Sequence, residues 1–147
     1  MFNSIVVGTD GSETAAQAVR EAVDLAKADS ATLQLVSAFA PVSERRLRAE
    51  RRDAPEAVRQ AINPRQEAEQ FLGDAADVAR EAGVDVQTHA RQGDPADAIL
   101  DVAEETEAGL IVVGNKGMTG ASRFLLGSVP DKISHHAPCS VLIVRTT

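Results

Sequence analysis

A chain of 147 residues with 44% hydrophobic content is long enough and apolar enough to bury one core, so we expect a single domain over residues 1–147. A formal net charge of -7 and an aromatic content of four Phe disfavour nucleic acid as a partner, because its binding relies on positive charge and stacking side chains. The single cysteine excludes an internal disulfide. Because the sequence shows neither a signal-peptide pattern nor a membrane-spanning apolar run, we expect a cytoplasmic protein with no membrane partner.

The first part of the chain alternates a strand, a helix and a second strand. The apolar run over 5–7 predicts the first strand. Alanine, valine and leucine then recur at helical spacing over 15–26, with Ser12 or Asp10 placed to cap the helix. The β-rich run Thr32–Phe39 predicts the second strand.

The middle and the end of the chain continue the alternation. A helical hairpin or one extended helix is expected before Gly83. A basic segment over 44–53 in this region is typical of a solvated helix face, with a basic contact surface as the alternative. A third strand is predicted over 84–90, and Asp94 followed by Pro95 is typical of a helix start. The remaining predicted elements are a strand over 110–113, a helix over Ser128–His136 and a strand over 141–144.

This alternation is typical of an α/β domain with a doubly wound five-stranded parallel sheet. Right-handed crossovers place helices on both faces and favour the strand order 3-2-1-4-5. In that order the loops leaving the first and fourth strands, which begin at Gly8 and Gly114, face one crevice. We therefore expect the ligand site there.

The loop after the fourth strand is suited to an anion. Glycine has no Cβ, so Gly114, Gly117 and Gly127 allow backbone N–H groups to approach phosphate oxygens closely. Ser128 opens the last helix, whose free amides and dipole attract negative charge. The residues alone leave open that the glycines only form turns and that Ser128 only caps the helix. Neither the GxxxxGK[ST] nor the GxGxxG motif is present.

The spacing G-x2-G-x9-G-[ST] closely resembles the universal stress protein family. The opening Ile-Val-Val-Gly-Thr-Asp-Gly-Ser-Glu and the closing His-Ala-Pro-Cys-Ser-Val-Leu-Ile-Val match as well, so the resemblance covers essentially the whole chain. It implies a Rossmann-like fold of the adenine nucleotide alpha hydrolase type that binds ATP together with Mg²⁺ or Mn²⁺. It also implies a nucleotide-responsive regulator or protective factor in the stress response, with at most slow ATP hydrolysis or autophosphorylation.

The resemblance further implies which residues hold ATP. Asp10 would lie near the ribose or near the metal, and Ser128 could lie near the metal as well. Asp10 is also suited to capping the first helix, and the two roles are compatible. Pro130 departs from the family, which often has a polar residue there, and it removes one N–H donor. The implied phosphate contacts are Gly114, Gly117, Gly127 and Ser128, beside the backbone of Asn115, Lys116 and Val129, and the implied adenine contacts are Thr9, Ala38 and Val113.

The remaining reactive side chains do not form a recognisable active site. His135 and His136 are adjacent on a helix and point about 100° apart, which disfavours a shared metal. His89 has no ligand partner at a suitable spacing, and Cys139 precedes a strand, where a buried inert thiol is expected. No Ser, His and acidic residues suggest a triad, so we expect no efficient enzyme. An adenosine-nucleotide hydrolase or nucleotidyl transferase on the same fold, and a dimeric scaffold without nucleotide, are the alternatives.

The last strand is apolar throughout, although the expected order places it at a sheet edge. An exposed apolar edge invites pairing with another strand. We expect a symmetric homodimer in which this strand pairs with its copy, as is common in the family that the chain resembles. The strand consists of Val141, Leu142, Ile143 and Val144.

Overall fold

A parallel five-stranded sheet forms the centre of the protein, in a computed structural model that describes residues 1–41, 63–115 and 126–146. Its strand order is β3-β2-β1-β4-β5, which confirms the predicted order, and each neighbouring pair is parallel. The strands are β1 (Ser4–Gly8), β2 (Thr32–Phe39), β3 (Val86–Gln92), β4 (Leu110–Gly114) and β5 (Ser140–Val144).

Helices connect the strands in the described part of the chain. Ser12 caps the first of them, because its side chain accepts a hydrogen bond from the amide of Ala15, while Asp94 caps the third and Pro95 occupies the start of that helix. None of the helices in the described ranges has the length and hydropathy that crossing a bilayer requires. The helices are α1 (Glu13–Asp29), α2 (Pro64–Glu81), α3 (Pro95–Glu105) and α4 (Ser128–His136).

The helices cover both faces of the sheet and divide the core into two clusters. Along β1, Ile5 and Val7 belong to the cluster that includes residues of α1 and α2, whereas Val6 belongs to the cluster that includes residues of α3 and α4. Successive strand side chains point to opposite faces, so this alternation buries β1 on both sides. All three of these side chains have no exposed surface.

The predicted position of β3 was wrong by two residues at each end. The amide of Val84 donates to the carbonyl of Ala79, so Val84 still belongs to the turn that ends α2, and Gly83 permits that turn with a φ of +81°. Pairing with β2 then continues as far as Gln92 opposite Phe39.

The expected helical hairpin or single helix corresponds, in the described residues, to α2. The basic segment over 44–53 lies outside the described residues. The apolar side chains of α2 complete the first core cluster, since Leu72 and Ala76 are buried against the sheet.

Candidate ligand crevice between β1 and β4

A crevice opens at the carboxyl edge of the sheet between the ends of β1 and β4. The strand β1 pairs with β2 on one side and with β4 on the other, so the crossovers that leave β1 and β4 run in opposite directions. The first turns of both α1 and α4 reach this crevice. The lining residues that matter chemically are Asp10, Ser12, Thr14, Val113, Gly114 and Val129.

Two glycines are closely packed where the strands β1 and β4 end. A Cβ atom on Gly8 would lie 2.7 Å from Cδ1 of Ile99, a buried side chain of α3 that lines the crevice. A Cβ atom on Gly114 would lie 3.3 Å from Cγ2 of Thr146. Larger residues at either position would therefore need their neighbours to move.

The carboxylate of Asp10 holds the loop that follows β1. Its Oδ1 accepts the amide of Ser12 at 2.9 Å, and the Ser12 hydroxyl in turn accepts the amide of Ala15 at 3.2 Å. The Ser12 and Thr14 hydroxyl oxygens are 3.1 Å apart. Of the two candidate caps, Ser12 is therefore the helix cap, and Asp10 supports it by accepting the amide of Ser12. Asp10 is also the only titratable side chain among the described residues that line the crevice.

The first turn of α4 presents backbone amides without a side-chain cap. Gly127 occupies the cap position, and the interpretation of Ser128 as the cap was therefore wrong. Within a helix the amides of Ser128 and Val129 have no intrahelical acceptor, and Pro130 has no N–H. The Ser128 side chain is exposed, and Pro130 is buried at the crevice wall. Within the described ranges, these two amides therefore remain as donors at this helix start.

Asn115 joins the start of the loop to its end and to the residues after β5. Its amide donates to the Val144 carbonyl at 2.9 Å, and its own carbonyl accepts the amide of Gly127 at 3.0 Å. Its side-chain Oδ1 accepts both the amide and the hydroxyl of Thr146, each at 2.9 Å. The backbone of Asn115, expected beside the phosphates, is thus engaged within the protein in this arrangement.

The structure brings together only part of the predicted site. Asp10, Val113, Gly114 and Val129 line one crevice, with Gly127 and Ser128 immediately before Val129. Lys116 and Gly117 lie outside the described residues.

Two expected adenine contacts lie elsewhere. Thr9 is 4% exposed, donates its amide to Val36, accepts the amide of Gly11 on its hydroxyl, and lines the groove between α1 and α2. Ala38 packs against the second core cluster.

Thr14 and Ile99 are among the crevice residues that sequence reasoning missed. The position of Thr14 in the first turn after the β1 loop was the pattern that could have identified it, because the first turn of such a helix faces the crevice. Ile99 was predicted only as part of an apolar helix stripe. Its side chain is long enough to reach from the core to the crevice floor beside Gly8.

The histidines and the cysteine lie outside the crevice. His89 is half-buried and its Nε2 lies 2.7 Å from Oε1 of Gln34, as a satisfied histidine should be. Burial lowers the pKa of His89, the positive charge of Arg91 lowers it further, and Glu105 opposes both. Cys139 is half-buried rather than fully buried as expected, and burial raises the pKa of its thiol, which disfavours the reactive thiolate. The ring centroids of His135 and His136 are 6.5 Å apart, and the described residues contain no His, Cys, Asp and Glu group suited to a metal.

The doubly wound sheet with a crevice at its topological switch point defines a Rossmann-like α/β domain. The chain matches the universal stress protein family over residues 1–145, and it belongs to that family. Universal stress protein Rv1636 of Mycobacterium tuberculosis is 37% identical over 147 residues, covering 99% of this chain and 98% of that protein. Universal stress protein YxiE of Bacillus subtilis is 37% identical over 148 residues, covering 99% and 100%.

Solved structures agree with this assignment. The crystal structure of a universal stress protein in complex with cAMP superposes with a TM-score of 0.75 at 34% identity, and the match covers 99% of each chain. The crystal structure of Rv1636 from Mycobacterium tuberculosis matches with a TM-score of 0.58 at 37% identity, covering 99% of this chain and 97% of that one.

Proposed function

We propose that this protein binds ATP in the crevice between β1 and β4 and works as a nucleotide-responsive regulator or protective factor. The supporting observation is the convergence of two helix starts, α1 and α4, on a crevice that contains Gly114. Helix starts carry positive partial charge and free amides, which favour phosphate over a neutral ligand. The cAMP complex of a relative 34% identical to this chain supports an adenine nucleotide.

A divalent ion would complete the site. The protein carries a net charge of -7, and Asp10 adds a negative charge to the crevice lining itself. A triphosphate is repelled by such a carboxylate unless a cation lies between them. Carboxylate, hydroxyl and phosphate oxygens suit Mg²⁺ or Mn²⁺, so we propose that Asp10, with Ser128 as a second candidate, lies near the metal of Mg-ATP.

We propose regulation rather than fast catalysis. Hydrolysis or nucleotidyl transfer needs a base or a charge clamp beside the phosphates, and Asp10 is the only titratable group that lines the crevice in the described ranges. Turnover well above the uncatalysed rate with wild-type protein would instead favour the nucleotide hydrolase or transferase.

Thermal unfolding with different nucleotides tests the proposal. A ligand at a hundred times its dissociation constant stabilises the folded state by about 2.7 kcal/mol, which raises the melting temperature measurably. We expect stabilisation by Mg-ATP, a smaller effect of ATP with a chelator, and none by Mg-GTP. Stabilisation by cAMP alone, without any metal dependence, would identify the cyclic nucleotide as the ligand. No shift with any adenine nucleotide would contradict the proposal and favour the scaffold.

We also propose a homodimer through β5. Leu142 and Ile143 are 36% and 37% exposed on an edge strand, where apolar side chains and unpaired backbone groups favour pairing with a second copy. Antiparallel pairing of the two β5 strands would cover the apolar side chains and would give the backbone groups of this edge hydrogen-bond partners.

A further inference from the structure

We propose that Thr146 is a positioning residue for the crevice and that it acts through Asn115. This inference rests on the proposed nucleotide function. Thr146 does not line the crevice, yet both its amide and its hydroxyl donate to Oδ1 of Asn115 at 2.9 Å. A residue that follows the edge strand therefore sets the orientation of a residue at the start of the loop.

Asn115 in turn is hydrogen-bonded to the residue at the start of α4. Its carbonyl accepts the amide of Gly127 at 3.0 Å, and Gly127 is the cap residue of α4. The free amides of Ser128 and Val129 follow immediately and take their direction from that cap. Because the Asn115 amide is also bonded to Val144, the whole residue is held at its amide, its carbonyl and its side chain.

The contact with Gly114 gives Thr146 a second effect on the crevice. The methyl group of Thr146 lies 3.3 Å from the position of a Cβ on Gly114, so Thr146 packs closely behind the glycine that ends β4. The hydroxyl and the methyl group therefore have separate effects, because the hydroxyl orients Asn115 and the methyl group packs against Gly114. Substitutions that remove one and keep the other separate the two effects.

The test compares Thr146→Val, which removes the hydroxyl donor and keeps the branched shape, with Thr146→Ser, which keeps the donor. Thr106→Val is the matched control, because the Thr106 hydroxyl donates to the Val102 carbonyl at the carboxyl end of α3 and does not line the crevice. Two measurements are made on each: hydrogen exchange of the Gly127 amide in the nucleotide-free protein, and the dissociation constant for Mg-ATP.

We expect Thr146→Val to speed exchange at Gly127 and to weaken Mg-ATP binding, each about five-fold, as loss of one net hydrogen bond implies. Thr146→Ser keeps the donor to Asn115 and loses only the methyl behind Gly114, so exchange at Gly127 should remain near the wild type in that variant. Thr106→Val should remain near the wild type in both measurements. The acceleration must be local, so equal acceleration at the Leu35 amide in the centre of β2 would overturn the inference. Unchanged exchange at Gly127 in Thr146→Val would also overturn it.

The two proposals fail in different ways. If the wild type does not bind Mg-ATP, the proposed function fails, while the Gly127 exchange in the nucleotide-free protein still decides whether Thr146 positions the α4 start. If the wild type binds and Thr146→Val binds equally well, the positioning role is wrong and the nucleotide function stands.

Discussion

The ring of Phe71 in α2 lies directly against Gly11, the residue that follows Asp10. A Cβ atom on Gly11 would lie 2.5 Å from Cδ1 of that ring, and Gly11 has a φ of +80°. The loop that presents Asp10 to the crevice is therefore packed from behind by a helix that does not itself reach the crevice.

Gly11→Ala should destabilise the protein more than Gly83→Ala does. Gly83 has almost the same φ, +81°, but nothing lies within 4 Å of the position of its Cβ. Positive φ costs a residue with a Cβ about 1–2 kcal/mol, and overpacking against Phe71 adds about 1–3 kcal/mol at Gly11 alone. Urea unfolding of both variants measures the difference, and equal losses would mean that the Phe71 ring moves aside at no cost.

Gly8→Ala should narrow the crevice by displacing Ile99. The added methyl would lie 2.7 Å from Cδ1 of Ile99, and the backbone of Gly8 does not have a positive φ, so the strain comes from packing. We expect a loss of about 1–3 kcal/mol in the free energy of unfolding and weaker Mg-ATP binding. Adding Ile99→Val removes that Cδ1 and should restore binding. A double variant that binds no better than Gly8→Ala would show that Ile99 is not what fills the crevice.

Asp10→Asn should reduce the metal dependence of ATP binding with little loss of stability. The amide oxygen of Asn can still accept the Ser12 amide, now 2.9 Å from Oδ1 of Asp10, so the loop keeps its hydrogen bond. The negative charge that a divalent ion would neutralise is gone. Calorimetric titration with ATP, with and without Mg²⁺, should show a large metal effect in the wild type and a small one in the variant. An equal metal effect in both would place the metal away from Asp10.

The fold could be predicted because its elements are set locally. Thr32–Phe39 and Ser128–His136 have the predicted bounds, since a β-rich run and a glycine followed by a serine define them within a few residues. The predicted bounds of β3 were wrong because a valine such as Val84 suits both a strand and the turn after a helix. Only the hydrogen bond from Val84 to Ala79 decides between them.

The site could be predicted where strand ends define it and not where distant residues meet. Gly114 and Val113 follow from the end of β4. The pairing of Thr146 with Asn115 joins residues 31 positions apart, and nothing in a threonine after a strand predicts its partner. Thr9 directly follows the strand β1, yet its hydroxyl accepts the amide of Gly11, a local bond that residue type alone does not reveal.

The proposed pairing of β5 with a second copy predicts that a charge on this edge makes the protein monomeric. Leu142→Lys places an ammonium group where Leu142 is 36% exposed, and a charged edge side chain opposes strand pairing. Gln87→Lys, an exposed position on the opposite edge strand β3, is the control and should leave the dimer intact. Sedimentation velocity over a range of concentrations measures the outcome. A wild type that stays monomeric throughout would contradict the dimer.

His89 should make the protein less stable as the pH falls. Burial first, and then the charge of Arg91, lower the pKa of His89 from its ordinary value of 6.5, against a weaker opposing effect of Glu105. The unfolded chain therefore takes up the proton first, so the contribution of neutral His89 is complete above about pH 6.5 and declines as the pH drops through the lowered folded value. Protonation does not break the hydrogen bond to Gln34, because Nε2 still carries a proton in the charged form.

His89→Gln isolates this contribution, because a Gln amide can also donate to Gln34 and all other titrating groups are unchanged. Between about pH 7 and pH 5 the free energy of unfolding should fall more steeply in the wild type than in the variant. Urea unfolding at several pH values in that range measures both slopes. Parallel slopes would mean that His89 has the same pKa in the folded and unfolded chains. His89 would then be more hydrated than its half-buried position in β3 indicates.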